Sequence, residues 1–239
     1  MTLPQVYETE VIKAERFNEN TIFLELKFEA GVDFKFKAGQ FIYIHIVVDG
    51  KEEERPYSIA SKPSQDTIEL LIRKYDEGKV SPYLYKLNKG DKLRVRGPIG
   101  IFKVKKPVKK ETVFIAAGAG VAPLRSMIYD ILENFPNKKV TLIFGFRYET
   151  DFFFKNEFKK LAEKNKNFKC YGCATKAKGE SYLKGRVTEH LSELVGFLEN
   201  KDVYICGPSV MIDEVAKILT KELGFKKDRV YFEEWELPE

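Results

Sequence analysis

Cysteine, histidine and tryptophan are scarce in this chain, with three, two and one among 239 residues. Three thiols cannot build a disulfide framework, nor hold an iron–sulfur cluster that needs four thiolates from this chain alone. The two histidines, His45 and His190, are far apart and show no HxxxH or HExxH spacing. A histidine-rich zinc site is therefore not expected, and no metal site is assigned. Long apolar runs are also missing. The longest weakly polar stretch, Phe114 to Leu124, is interrupted by glycines and Pro123 and is too short to span a bilayer. Met1-Thr2-Leu3-Pro4-Gln5 has no basic start, and no hydrophobic segment follows, so no signal peptide is expected and the cytoplasm is the expected compartment.

Hydrophobic residues make up 44% and charged residues 32%, a globular composition that excludes disorder and collagen-like repeats. The length suits one large domain or two of about 100–150 residues. Net charge is a mild +5, from 41 basic and 36 acidic residues. Lys103, Lys105, Lys106, Lys109 and Lys110 cluster around Pro107. No nucleic-acid motif accompanies them, so they read as a solvated linker or as a docking patch for an acidic protein. Lysine and glutamate are plentiful while glutamine occurs only at Gln5, Gln40 and Gln65, a thermophilic cast. Cys170 and Cys173 form a CxxC without a second pair, in a strand-like stretch, and read as two packed thiols rather than redox or metal ligands.

The first hundred residues alternate polar and apolar positions over Glu8–Phe17, Thr21–Phe28, Phe41–Val48, Thr67–Lys74 and Lys92–Gly97, with turn residues between. Many short strands predict an antiparallel barrel. Ser81 before Pro82 predicts an N-cap and a short helix through Leu87. Beyond the lysine-rich stretch, strands alternate with helices. The strands are Thr112–Ala116, Lys139–Phe144, Phe168–Ala174, Asp202–Cys206 and Val230–Phe232. The helices run from Pro123 to Asn134, from Phe152 to Lys164, from Thr188 to Asn200, and onward from Ser209. That rhythm predicts a doubly wound parallel sheet. The expected division is a barrel over 1–105, a linker over 106–110 and an α/β domain over 111–239.

Parallel sheets bind ligands beyond the carboxyl ends of their strands. Two such ends carry glycine. Gly118-Ala119-Gly120-Val121-Ala122-Pro123 resembles a dinucleotide turn with proline in place of the third glycine. Backbone N–H groups at the following helix start could face a pyrophosphate, or the segment could be only a tight turn. In Cys206-Gly207-Pro208-Ser209, Gly207 permits close approach of a flat ring and Ser209 could cap a helix. The barrel half offers Arg55-Pro56-Tyr57-Ser58, placed at the start of a strand. It combines a phosphate grip, an aromatic face and a hydroxyl. Gly78-Lys79-Val80-Ser81 supplies a second possible anion-binding helix start.

Arg55-Pro56-Tyr57-Ser58, Gly78-Lys79-Val80-Ser81, Gly97-Pro98-Ile99-Gly100, Gly118 to Pro123, Cys206-Gly207-Pro208 and the closing Glu233-Glu234-Trp235 occur in the order seen in the ferredoxin–NADP reductase superfamily. The chain resembles that superfamily over essentially its whole length. The resemblance implies an FAD-binding antiparallel barrel followed by an NAD(P)-binding α/β domain. It implies that Arg55 contacts the FAD pyrophosphate, that Tyr57, beside Pro56, stacks on the flavin, and that Ser58 lies near flavin N5. Ile72, Arg73 and Lys74 would run along the adenosine side of FAD. Gly78, Val80 and Ser81 would bind its pyrophosphate. Gly118, Gly120, Val121 and Pro123 would shape the nicotinamide cleft, with Arg147 near the NAD(P) phosphates or ribose. Cys206, Gly207 and Pro208 would sit by the nicotinamide, with Met211 behind them. Glu233 matches the near-terminal acid and Trp235 the aromatic cover over the flavin, which would shift aside to admit nicotinamide. Ser58, Cys206 and Glu233 are the expected catalytic residues.

The implied activity is FAD-dependent NAD(P)H oxidoreduction, with the two rings brought to about 3–3.5 Å and the electrons passed on to ferredoxin, flavodoxin or an oxygenase component. Two alternatives are a reductase using free flavin, and an FAD- and NAD-binding electron-transfer subunit of a larger complex. No CxxxxCxxC segment is present, so an acidic electron-carrier protein is the expected partner, with no nucleic acid and no membrane span. Members that use NADP place a hydroxyl and a basic residue after the strand that ends here at Ala174. Thr175 and Lys176 match, with Lys178 beside them, so the reading leans to NADPH, with NADH or both as alternatives.

Overall fold

The computed structural model describes residues 5–48, 50–177, 181–196 and 200–234. Strands β1 (Val6–Asn18), β2 (Thr21–Phe28), β3 (Phe41–Val48), β4 (Lys51–Ser58), β5 (Thr67–Arg73) and β6 (Lys92–Ile99) form an antiparallel sheet in the order β4-β3-β6-β1-β2-β5. Its inner face is apolar because opposed residues share a face. Ile22, Leu24 and Leu26 of β2 stand opposite Ile72, Leu70 and Ile68 of β5, all buried. The sheet curls until its edges meet, where Ile59, just past β4, bridges Leu70. The outer face of β2 and β5 is mostly polar, with Thr21, Glu25 and Lys27 opposite Arg73, Glu69 and Thr67, and carries one apolar pair. Phe23 and Leu71, opposed in register, are buried against the second half of the molecule.

Two expectations change here. Arg55 to Ser58 close strand β4 rather than open one. The polar run Lys51–Glu54 is recruited by its ladder to the apolar β3, in which Val48 pairs with Lys51 and His45 with Glu54. Helix α1 (Ser81–Tyr85) is shorter than expected, and Ser81 does not cap it. The cap position is Val80; Ser81 is the first helical residue, and its Oγ accepts the Tyr75 N–H at 2.9 Å.

The second sheet is parallel, in the order β10-β9-β8-β7-β11-β12, from β7 (Glu111–Ala117), β8 (Lys139–Phe146), β9 (Phe168–Ala174), β10 (Leu183–Lys184), β11 (Lys201–Gly207) and β12 (Val230–Glu234). Both faces are covered, hence the near-continuous apolar strands. Phe114, Ala116, Leu142, Phe144 and Tyr204 share a core with α2 (Val121–Asn134), α3 (Lys155–Lys164) and the barrel's outer face. Val113, Ile115, Ile143, Val203 and Ile205 pack on α4 (Leu191–Leu194) and α5 (Ser209–Lys221). Among the described residues, the helix expected over Thr188 to Asn200 is a 3₁₀ turn, Val187–His190, running into α4. Gly196 then adopts φ of 63°, which ends the helical path. The expected helix from Phe152 starts at Lys155, because Phe154 sits in the left-handed region at φ of 59°. No helix among the described residues is long and apolar enough to cross a membrane.

Candidate active site at the junction of the two sheets

Strand order reverses at β7. From it β8 and β9 step one way, while β11 and β12 step the other. A crevice opens at such a switch point, beyond the carboxyl ends of the strands. Both glycine turns lie there. β7 runs into a 3₁₀ turn, Gly118–Gly120, and then α2. β11 ends at Gly207, and α5 follows Pro208. The two turns pack backbone to backbone. A Cβ on Gly120 would lie 2.3 Å from the Cys206 carbonyl oxygen. On Gly207 it would meet Met211 Cε at 2.7 Å and the Ala117 nitrogen at 3.2 Å. Gly118 adopts φ of 55°, which favours glycine, and a Cβ there would lie 4.0 Å from Arg73 Nη1 of the barrel. Both long helices start without a side-chain cap and without an acid in the first turn, so no side chain there offsets their positive dipole ends. Ser209 therefore does not cap α5; Pro208 holds that position. Val121 and Pro123 are buried in the first turn of α2 and shape the wall rather than line it.

On the barrel side, Glu53, Arg55 and Tyr57 share one face of β4, opposite Ile46, Ile44 and Ile42. Arg55 Nη1 donates to the Glu54 carbonyl at 2.9 Å and to Glu53 Oε2 at 3.1 Å. Among the described residues its Nη2 and Nε make no such contact. Lys79 Nζ stands 3.6 Å from the other Glu53 oxygen, so one carboxylate holds two cations at the same place. Burial pushes the Tyr57 phenol well above its ordinary range, keeping it a neutral donor. Arg73 lies over the Tyr75 ring, its guanidinium carbon 5.6 Å from the centroid, and Lys74 pairs with Asp76 at 2.9 Å. Ile72 and Val80 are core residues, and the Ser81 hydroxyl is tied to Tyr75. A ligand could meet these three only through backbone.

Ser58 closes the gap between the halves. Its Oγ donates to Glu233 Oε2 at 3.4 Å, from the end of β4 to β12. Glu233 stands beside the buried Cys206 in the β11–β12 register. Burial pushes the Glu233 carboxyl up to about 8, only partly offset by the Ser58 hydroxyl. A carboxyl of that kind in a cleft is a candidate proton donor. Trp235 lies outside the described residues.

A third group forms at the ends of β8 and β9. The Thr175 N–H donates to the Phe146 carbonyl at 3.2 Å, and the Lys176 N–H to the Arg147 carbonyl at 2.9 Å. Lys176 Nζ lies over the exposed Tyr148 ring at 5.8 Å. The nearby acid, Glu149, is occupied by Lys155 and by the Tyr182 hydroxyl, both at 2.7 Å. Arg147, Tyr148, Thr175 and Lys176 thus make an exposed, basic, aromatic patch. Sequence reading missed Tyr148, Tyr75, Glu53 and Lys79 as members. Lys79 lay inside a recognised motif and Tyr148 beside Arg147, whereas nothing marked Glu53 or Tyr75.

The residues fit two nucleotides. Guanidinium nitrogens of Arg55 stand ready for a phosphate, a neutral phenol lies next to them, and glycine alone is admitted at the facing wall. A curled antiparallel sheet and a parallel sheet that meet at such a crevice make a two-domain nucleotide-binding architecture. Residues 8–104 match the oxidoreductase FAD-binding domain family, and residues 114–217 the oxidoreductase NAD-binding domain family. The chain is 31% identical to the reductase component of propane 2-monooxygenase from Mycolicibacterium goodii, across 98% of this chain and 69% of the relative. It is 32% identical to ferredoxin–NADP reductase B of Sorangium cellulosum, across 89% of this chain and 91% of the relative. Among solved structures, a ferredoxin–NADP+ reductase from Neisseria gonorrhoeae with bound FAD and NADP shares the fold, with a TM-score of 0.84, 22% identity, and coverage of 96% and 98%. An Amycolatopsis cytochrome P450 reductase does so with a TM-score of 0.88, 24% identity, and coverage of 98% and 71%. The chain belongs to the ferredoxin–NADP reductase superfamily and is an oxidoreductase that uses FAD and NAD(P)H.

Proposed function

We propose that this chain is a reductase that draws electrons from NADPH and delivers them to a separate acidic carrier of the ferredoxin or flavodoxin type, or to an oxygenase component. The observation that carries the reading is the Ser58–Glu233 hydrogen bond, which joins the FAD sheet and the NAD(P) sheet at one cleft. The acceptor class is supported by two relatives, one named as a monooxygenase reductase component and the other as a ferredoxin–NADP reductase. The net charge of +5 suits an acidic partner.

When bound, FAD supplies the chemistry of accepting a hydride from the nicotinamide and releasing its electrons onward. The chain does the rest. Arg55 grips the FAD pyrophosphate, held in place by Glu53, and Lys79 adds charge beside it. Tyr57 and Pro56 pack against the flavin, and Arg73, Lys74 and the Gly78–Ser81 backbone border its adenosine side. Gly118 and Gly120 let the nicotinamide approach, with Val121 and Pro123 stiffening the turn. Cys206, Gly207 and Pro208 form the opposite wall, backed by Met211. Glu233 holds a proton at its carboxyl beside the Ser58 hydroxyl, and with that hydroxyl turned toward bound flavin the proton would pass from Glu233 to Ser58 Oγ as Ser58 gives its own to the reduced ring. Arg147, Thr175 and Lys176 take the 2′-phosphate, since Glu149 is already neutralised and does not repel it.

The test is an acceptor panel with FAD-loaded protein and NADPH: ferredoxin, flavodoxin, ferricyanide and free FMN. The expected result is tightly held FAD and carrier reduction that outpaces free FMN. Colourless protein that turns over added flavin instead would establish the free-flavin alternative.

A further inference from the structure

One buried cation takes no part in that mechanism. Arg125, 6% exposed, projects from the second turn of α2. Its Nε and Nη2 clasp both oxygens of Glu157 on α3, at 2.6 and 2.9 Å. Its Nη1 reaches into the barrel, donating to the Ala60 carbonyl at 2.7 Å and to Glu69 of β5 at 2.5 Å. The guanidinium also lies over the Phe154 ring at 4.5 Å. Phe154 itself touches Phe17 and Phe23 of the barrel. The barrel anchor is not an arbitrary spot. The Ala60 N–H bonds the Glu69 carbonyl at 2.7 Å, next to the Ile59–Leu70 bridge where the barrel closes. Ser58 lies two residues before Ala60, and Arg73 four after Glu69. Arg125 itself lies five residues after Gly120.

We propose that Arg125 is a positioning residue for hydride transfer: it fastens the glycine turn of the NAD(P) sheet to the closure point of the FAD barrel. This rests on the reading above, that the two cofactors meet between the halves. A planar fork with donors in fixed directions sets spacing as well as charge, and a lysine in its place keeps only the charge. Among the described residues the other cross-domain ion pair, Lys62–Glu133 at 3.2 Å, is about 40% exposed on each side, and the Asn18–Asp151 hydrogen bond at 2.9 Å is a single contact made after β8 rather than at the glycine turn, so neither fixes spacing as the buried fork does.

The experiment uses the full FAD-loaded chain as wild type, Arg125→Lys, Glu69→Gln and Glu133→Gln. Each is mixed anaerobically with saturating NADPH, and then NADH, in single-turnover stopped flow. Flavin bleaching is followed together with the long-wavelength absorption of stacked nicotinamide and flavin. FAD affinity and melting temperature are measured in parallel. Arg125→Lys is expected to keep FAD and the KM for NADPH, to lose the long-wavelength band, and to bleach about 10- to 100-fold more slowly, the scale of a small misplacement. Glu69→Gln, which spares the Glu157 fork, is expected to move the same way by less, and it carries the test if Arg125→Lys does not fold. Glu133→Gln should match wild type. Wild-type bleaching rates and an intact band in both Arg125→Lys and Glu69→Gln, with only a lower melting temperature, would overturn the positioning role alone. Wild-type flavin that neither nucleotide bleaches would overturn the functional reading beneath it.

Discussion

Glu233 is the residue whose charge state matters most. Its carboxyl is raised to about 8 by burial, so the folded chain holds a proton there that the unfolded chain has released. The stability owed to that neutral form is full below the ordinary carboxylate range and is lost as pH rises toward 8. Activity should follow the same group. Carrier reduction is expected to fall as pH rises past about 8, and Glu233→Gln should remove that limb and slow turnover by about 10²-fold, the lower end for a lost proton donor. A pH–rate profile of both proteins checks this; an unchanged limb in Glu233→Gln would assign it elsewhere. Nucleotide choice is also a residue-scale matter. Thr175→Asp with Lys176→Ala places an acid where a 2′-phosphate is expected and removes a cation. Steady-state kinetics should then show the NADPH:NADH preference falling by about tenfold or more, equivalent to 1.4 kcal/mol or above. A preference left intact would refute the assignment. The hydroxyls Ser81 and Ser209 were misread as caps because serine before an apolar stretch carries the same signature in either role. Only coordinates show that Val80 and Pro208 hold those positions.

At the scale of elements, the glycine turns set the cleft. Gly120→Ala would drive a Cβ into the Cys206–Gly207 backbone, which cannot swing aside like a flexible side chain. Denaturant unfolding should show a loss of about 1–3 kcal/mol, as overpacking elsewhere costs, together with weaker nucleotide binding. Strand alternation decides the CxxC. Residues three apart on β9 point to opposite faces, and Cys170 joins the core under α2 and α3 while Cys173 joins the core under α4 and α5. Burial pushes both thiols up to about 12. Native protein should therefore react with a thiol reagent far more slowly than unfolded protein; rapid labelling of the folded form would contradict the packing. These elements differ in how plainly the sequence announced them. β2 and β3 alternate and were legible, as were the apolar cores of β7, β8 and β11. β4 was half hidden, because Lys51–Glu54 is polar on both faces and its pairing comes entirely from β3. The segment after Arg186 looked like one helix, since only Gly196 marks where its backbone turns away.

Across the whole molecule, two facts could not be read from pattern. Phe23 and Leu71, an apolar pair among polar neighbours on the outer face of β2 and β5, are buried because another domain covers them, yet in sequence Thr21–Phe28 reads as an ordinary half-buried strand. Arg125 belongs to no motif of the sequence, and its acceptors lie 32, 56 and 65 residues away along the chain. Long-range placement of that kind has no local signature. The candidate site was more legible than the interface around it, because its glycines and its Arg-Pro-Tyr-Ser run sit at strand ends, where the topology gathers them. The central claim is that both halves present their ligands to one shared cleft between Ser58 and Glu233. The most direct measurement is anaerobic titration of the FAD-loaded protein with NADPH, followed by absorbance. Stoichiometric loss of the yellow flavin band, with a long-wavelength band from the stacked rings, is the expected result. Flavin that stays bound and fully oxidised in the presence of saturating NADPH and NADH would contradict it.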